Sequence, residues 1–544
     1  GDHPKYWKTA SLMKHFLANS NENNRAINSS DFDERLFREY YSYPFYKGVT
    51  EGGSRAFMTA YNRYNGIPCT VHPVLKDVAV AEWGQNGIIA TDGGAYRQLV
   101  TAHKYFPDLM AAAKGCLDAG TTMFLDDYKE PLTNAVKAGL ISEADIERSI
   151  RGTLRVLLKL GLMDAEGSTE SPYACIGVTD TAKPWEKPET RALAMEATAR
   201  SVVLLKNDNN TLPLDPEKIR TVAVIGPSAD LVVSDWYSGT PPYRVSALDG
   251  IRNAVGEGVK VLFAASNKAD SAVTAASQAD VAIVCVGNHP LGYGLGWGEN
   301  HVASDGREEV DRQALSLEQE DLVKLVHAAN PRTVLVIVSS FPYTVNWSKA
   351  TIPAILHITQ SSQELGNGLA DVIFGKVSPA GRLVQTWPSS ITDLPPILDY
   401  NIRNNRTYMY FKGEPLFPFG HGLTYTTFDY SELATDRKTV RSGDTLEVSL
   451  ALKNTGNYDS DEVVQLYVSF PDSKVERPLL ALKGFLRVHV SGGQVQKVTI
   501  PLVADDLTYW DTDQHAFVLE KGRVIIRAGA SSEDLRLTTE VTVR

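Results

Sequence analysis

Five short aliphatic runs punctuate the middle of the chain: Ser201–Leu205, Thr221–Ile225, Val281–Val286, Val334–Val338 and Ala354–Ile358. Four of them carry no alternating polar residue. A strand of that kind has both faces covered, which restricts the region to a largely parallel sheet with helices on either side. Helical patterns over Glu318–Ala329 and Gln363–Phe374 fall between or after the runs, so residues 199–435 are expected to form an open α/β sandwich. Residues 1–165 alternate in the same way. Ala56–Tyr61 and Gly87–Thr91 predict buried strands, and Glu34–Val49 and Glu143–Leu160 predict amphipathic helices. That alternation calls for a parallel sheet or barrel. Residues 166–198, rich at first in Gly, Ser, Thr and Pro, form the expected linker.

From about Asp436 the texture changes. Thr445–Leu452 and Val463–Val468 alternate, and Asn454-Thr455-Gly456-Asn457 and Ser491-Gly492-Gly493 mark turns. Short strands at this spacing predict an all-β sandwich over 436–544. Three or four domains suit a chain of 544 residues. The formal net charge of −11, from 54 basic and 65 acidic residues, excludes the basic footprint of a nucleic-acid binder. No apolar stretch is long enough for a membrane helix. Cys69, Cys116, Cys175 and Cys285 lie too far apart for a structural zinc site, and a disulfide framework is not expected. The opening Gly1-Asp2-His3-Pro4 carries no secretory pattern, so a leader is absent or already removed and the compartment stays open.

Asp92 directly follows the Ile88–Thr91 run and precedes two glycines. An acidic residue at the C-terminal end of a barrel strand stands where barrel enzymes keep catalytic groups. The same residue could instead cap the next helix. Lys14, His15 and Arg25 offer cations for sugar hydroxyls or a phosphate, or else a surface ion pair between Glu22 and Arg25 and a structural histidine. The stretch Gly287–Gly298 contains glycines but neither a dinucleotide fingerprint nor a phosphate loop. Glu299, His301 and Asp305 are metal-ligating types whose spacing matches no specific site. Glu308-Glu309 is either a solvated loop or a source of a general acid; two carboxylates, one ionised and one protonated, are what glycosidic cleavage needs.

At these residues the whole chain resembles glycoside hydrolase family 3. Lys14-His15-Phe16…Asn19…Glu22…Arg25 is similar to the family's K-H-F…N…E…R segment, and Met58-Thr59-Ala60-Tyr61-Asn62…Asn65-Gly66-Ile67-Pro68 to M-x-x-Y-N…N-G-x-P. Trp83–Asp92 resembles W-G-F-x-G-x-V-x-S-D, which ends on the nucleophile. Glu308–Arg312 resembles E-G-x-D-R, which begins on the acid/base. Phe417–Thr426 resembles F-P-F-G-x-G-L-S-Y-T, and Val463–Val468 with Leu482–Phe485 resembles the family's fibronectin type III-like domain.

The resemblance implies a multidomain α/β protein: the C-terminal part of a TIM-type β/α barrel, an α/β sandwich and a fibronectin type III-like β-sandwich. It implies a retaining exo-β-glycosidase that releases terminal β-D-glucose from short oligosaccharides or glucosides. β-Xylosidase or mixed activity is the first alternative, and a non-catalytic carbohydrate-binding protein the second. Asp92 would be the nucleophile. Glu308 would be the acid/base, favoured over Glu309 by its spacing from Asp311, with its pKa raised by its neighbour. Lys14, His15 and Arg25 would hold sugar hydroxyls, Tyr61 would lie beside the nucleophile and Met58 on the pocket wall. The site would be an interdomain cleft needing no cofactor or metal, and export is slightly favoured.

Two departures from the family stand out. The K-H-F segment, midway along the family's barrel, begins here at residue 14, so half of the barrel is expected to be lacking. Its open strand edge should then be covered by an N-terminal chain or a second copy. After the nucleophile, where many family β-glucosidases carry Trp, stands Gly93-Gly94-Ala95, closer to the S-D-C-G-A of the β-xylosidase branch.

Overall fold

The structure is a computed structural model that describes residues 3–165, 167–234, 236–265, 269–291, 302–360 and 362–544. The chain divides into two compact units. The first gathers 1–182, 396–401 and 509–517, and the second holds 183–395, 402–508 and 518–544.

In the first unit three strands, β1 (Met13–Phe16), β2 (Ala56–Thr59) and β3 (Ile88–Ala90), lie parallel in the order β1-β2-β3. A parallel bridge from Ala90 to Met123 continues the series. Every residue of β2 and β3 is buried, as continuous apolar strands require. The span 34–49 departs from the single expected helix. A short turn and an i→i+5 turn over Phe37–Tyr41 precede α1 (Tyr43–Thr50). Pro44 in the first turn of α1 has no amide hydrogen for a continuing ladder, so the helix restarts there. Then follow α2 (Ala95–Thr101), α3 (Leu109–Ala119), α4 (Lys129–Lys137) and α5 (Glu143–Lys159). α5 opens on a reciprocal cap: the Asp145 amide donates to the Ser142 hydroxyl at 3.2 Å, and the Ser142 amide to the Asp145 carboxylate at 3.0 Å.

Two distant stretches complete this unit. The Tyr400 hydroxyl donates to Asn21 Oδ1 at 2.7 Å, and its carbonyl accepts from the Tyr41 hydroxyl at 2.7 Å. The Trp510 amide donates to Glu39 at 2.8 Å while the Arg38 guanidinium lies 4.2 Å from its ring centroid.

The second unit contains a six-stranded sheet. After helix α6 (Pro188–Ser201) come β4 (Val203–Asn207), β5 (Thr221–Ile225), α7 (Ala247–Val255), β6 (Lys260–Ala264), α8 (Ala269–Ser277), β7 (Val281–Gly287), α9 (Glu320–Ala329), β8 (Thr333–Val338), β9 (Ala354–Ile358) and α10 (Leu365–Ile373). The order is β4-β9-β8-β7-β5-β6, parallel except for β4. Alternate residues feed two cores. Val222, Val224, Ile283 and Val336 pack with Leu248 and Leu369 on one face, and Ala223, Ile225, Val284 and Ile337 pack with Ala272 and Val323 on the other. This two-sided burial is why the strands read as unbroken aliphatic runs. β6 lacks that signature because it is an edge strand, with Lys260 and Phe263 exposed.

Seven long strands and one of two residues make the C-terminal sandwich; the long ones are β10 (Phe428–Thr435), β11 (Thr445–Asn454), β12 (Ser460–Ser469), β13 (Ala481–Val490), β14 (Val495–Val503), β15 (Gly522–Gly529) and β16 (Leu535–Val543). One sheet runs β10-β11-β14, and the other runs β16-β15-β12-β13 with a two-residue strand beside β16. Leu446, Val448, Leu450 and Leu452 of β11 point inward between more exposed neighbours, giving the period of two seen in the sequence. Among the described residues no helix is long and apolar enough to cross a membrane.

Candidate active site

In the first unit the ends of three adjacent strands converge. β1 supplies His15, β2 supplies Met58 and, two residues beyond its end, Tyr61, and Asp92 stands two residues beyond β3. The Asp92 carboxylate uses both oxygens. Oδ1 accepts the Gly93 amide at 2.7 Å, and Oδ2 lies 3.2 Å from His15 Nε2. The Tyr61 hydroxyl shares its single proton between the Gly93 carbonyl, 2.7 Å away, and the carboxylate. Burial by itself pushes the Asp92 carboxyl upward. The hydrogen bonds from His15, the Gly93 amide and Tyr61 outweigh it, so the group sits below the usual carboxylate range. The Asp92 side chain, 16% exposed, thus presents an ionised carboxylate within reach of solvent.

Arg25 pairs with Glu22 at 2.9 Å, the local ion pair foreseen from the sequence. Its guanidinium also lies 5.0 Å from the Tyr61 ring centroid, which ties the segment to the site. Lys14 precedes His15 on β1 and is exposed, and Met58 is buried.

The capping role open to Asp92 belongs to another residue. Gly94, with φ +80°, occupies the cap position of α2 and has no side chain to offer. Asp126, from the segment after the Met123 bridge, accepts the Tyr96 amide at 3.0 Å and is also bonded by the amides of Arg97 and Gly94. Its side chain is 2% exposed, and burial pushes its carboxyl up despite those bonds. Nothing local in the sequence signals Asp126, because the helix it serves lies thirty residues upstream.

In the second unit Glu308 and Glu309 are the tip of a two-residue hairpin. The Arg307 amide donates to the Val310 carbonyl at 3.3 Å, and the Val310 amide to the Arg307 carbonyl at 3.0 Å. Glu308 is half-buried, with the Tyr237 hydroxyl 3.4 Å from each carboxylate oxygen. Glu309 is exposed and has φ +67°, the left-handed region that favours glycine. The E-G-x-D-R pattern puts glycine at this position.

Arg312 anchors the hairpin. Its Nε donates to the Ser304 carbonyl at 3.1 Å and its Nη1 to the Pro342 carbonyl at 2.8 Å, and the guanidinium covers the Phe341 and Tyr343 rings at 4.1 and 4.7 Å. Burial lowers its pKa to about 10. A Cβ at Gly306 would sit 2.5 Å from Arg312 Cγ, so that glycine is needed for the approach. Asp305 is ion-paired with the buried Arg307. Glu299, His301 and the glycines at 292, 294, 296 and 298 lie outside the described residues.

Three family descriptions match the chain in order. They are the glycosyl hydrolase family 3 N terminal domain over 5–156, the glycosyl hydrolase family 3 C-terminal domain over 202–425, and a fibronectin type III-like domain over 462–532. A curated beta-xylosidase of Formosa agariphila is 33% identical over 565 residues, covering 98% of this chain and 75% of the relative. The chain belongs to glycosyl hydrolase family 3. A second family 3 relative, the periplasmic beta-glucosidase of Salmonella typhimurium, is 32% identical and covers 96% of this chain and 72% of its own. The solved structure of a β-glucosidase from Erythrobacter marinus superimposes with a TM-score of 0.86 at 27% identity, over 98% of this chain and 74% of that one. The family resemblance and the fold class read from the sequence are borne out.

Proposed function

We propose that this family 3 hydrolase is a retaining exo-β-glycosidase acting on terminal β-D-glucose, with β-D-xylose as the alternative sugar. The observation that carries the reading is Asp92: a carboxylate at a parallel strand end, held ionised by three donors. In this mechanism an Asp92 oxygen attacks the anomeric carbon and the bond to the leaving oxygen breaks. Glu308 gives that oxygen its proton. Glu308 then takes a proton from water, which displaces Asp92 and releases the sugar with its configuration retained. His15 and Tyr61 hold the nucleophile. Lys14, His15 and Arg25 are proposed to bind sugar hydroxyls, and Met58 to line the wall. The substrate is an oligosaccharide or glycoside.

The test is nitrophenol release from aryl β-glucoside and aryl β-xyloside by the full chain. A faster glucoside rate supports the first reading and a faster xyloside rate the second. Folded protein that binds sugar yet cleaves neither would make it a carbohydrate-binding protein instead.

Gly93 bears on the room left beside Asp92 for the aglycone. A Cβ there meets nothing within 4 Å, and its φ is not in the left-handed region. Gly93→Trp is therefore expected to fold with an unchanged melting midpoint. It should lower kcat/KM for bulky aglycones by about 10-fold, within the range that one pocket contact discriminates. Equal rates on small and bulky aglycones in the variant would sink that expectation.

The pH profile follows from the carboxylate. Asp92's folded pKa is depressed below its ordinary 3.8, so its charge, and its contribution to stability, persist above that value and are lost only as the pH falls through the folded value. His15→Ala removes one of the donors. The acid limb of kcat/KM is expected to move to higher pH, and an unmoved limb would assign the limb to another group.

The periplasmic relative supports the proposal that this chain, too, is exported. β1 pairs only with β2 among the described residues. An unpaired parallel edge supports the further proposal that a second copy or a separate chain covers it. A native mass equal to one chain would refute that.

A further inference from the structure

Tyr61 is held from behind as well as in front. Its main-chain carbonyl lies 3.0 Å from His103 Nε2. A carbonyl only accepts, so Nε2 carries the proton. The other ring nitrogen agrees: Nδ1 faces the Arg63 Nε–H at 3.2 Å and must be bare to accept it. Arg63 also donates from Nη2 to the His103 carbonyl at 2.9 Å, so one guanidinium grips both the ring and the backbone of the histidine. His103 is 6% exposed; burial and the Arg63 charge lower its pKa to about 4, and it is a neutral donor at neutral pH.

The topology gives this contact its use. α2 begins three residues after Asp92, and His103 follows its end, with its amide donating to the Gln98 carbonyl at 2.8 Å. Tyr61 lies on the loop after β2. Its hydroxyl reaches the Gly93 carbonyl at the start of α2, and its carbonyl is tied to His103 at the end of the same helix. One residue is thus fixed to both ends of the helix that leads out of Asp92.

We propose that Arg63 and His103 are positioning residues: His103 donates from Nε2 to the Tyr61 carbonyl, Arg63 locks that tautomer, and together they hold the Tyr61 hydroxyl against the Gly93–Asp92 segment. The inference rests on the reading of Asp92 as nucleophile. Neither residue touches substrate. Their effect passes through Tyr61 to the carboxylate, where His15, the Gly93 amide and Tyr61 are the donors and the Arg25 guanidinium lies over the Tyr61 ring.

The test uses His103→Ala, His103→Gln and Arg63→Lys in the full chain, with two readouts. The first is the titration of the Asp92 carboxyl carbon by NMR in aspartate-labelled protein, assigned with Asp92→Asn. The second is steady-state kinetics on aryl glycosides. His103→Ala is expected to raise the Asp92 midpoint and to lower kcat/KM about 10- to 100-fold, mostly in kcat, the scale of a small misplacement at a reacting centre. His103→Gln can still donate an amide hydrogen to the Tyr61 carbonyl, and should restore most of both. Arg63→Lys cannot grip ring and carbonyl together, and should fall between the two; it also serves if His103→Ala does not fold. An unmoved Asp92 midpoint in a folded variant, or a glutamine no better than alanine, overturns the inference. If the wild type cleaves no glycoside, the functional reading fails, but the Asp92 titration still decides this one.

Discussion

Asp92→Asn is expected to lower kcat on aryl β-glycosides by about 10⁴-fold or more while sugar affinity stays within a few-fold. The amide keeps the shape of the carboxylate but cannot form the glycosyl ester. It has one acceptor oxygen where the wild type uses two, for the Gly93 amide and for His15. The amide nitrogen must then face one of these donors, and the arrangement is relieved only if His15 shifts its proton to Nδ1. Removing the side chain in Asp92→Gly makes a sharper test. Added azide can then attack the anomeric carbon from the vacated face and give the inverted α-glycosyl azide. Turnover surviving in Asp92→Asn, or a β-azide from Asp92→Gly, would remove Asp92 from the nucleophile role.

Glu308→Gln and Glu309→Gly are expected to part company completely. Loss of Glu308 should abolish turnover of substrates with poor leaving groups, by about 10²- to 10⁴-fold. Activated dinitrophenyl glycosides, which need no proton, should still form the glycosyl-enzyme. Azide should then intercept it and yield the retained β-product. Glu309 sits at φ +67°, where a side chain is strained and glycine is not. Glu309→Gly should keep its activity and be neutral to stabilising by up to about 1 kcal/mol. If Glu309→Gly were the inactive variant and Glu308→Gln the active one, the acid/base would be reassigned.

Much of the architecture was legible because two-sided burial and one-sided burial leave different marks. The runs 221–225 and 354–358 are strands over those residues, and the alternation from 445 onward is a sandwich strand. The misses have separate causes. β6 is an edge strand whose exposed Lys260 and Phe263 dilute the aliphatic run, and the break before Pro44 is a local backbone event inside a good helical pattern. The residues around Asp92 were found from strand position and motif. Asp126, His103 and Arg63 were not, because each acts on a backbone group far away in sequence and leaves no spacing to read. The spacing from Asp311 favours Glu308 over Glu309 as the proposed acid/base, and the left-handed φ of Glu309 is a further feature that residue types do not reveal.

The first unit borrows Pro396–Asn401 and Tyr509–Phe517 from far downstream. Its folding therefore cannot finish in the order in which the chain leaves the ribosome. Residues 1–182 are made before the partners of Asn21, Glu39 and Arg38, which arrive hundreds of residues later, within and beyond regions that belong to the other unit. A stop codon placed after residue 435 to delete the C-terminal sandwich would also take Trp510 away from the unit that carries Asp92. The module in which Asp92 resides can therefore close only once residues 509–517 have been made.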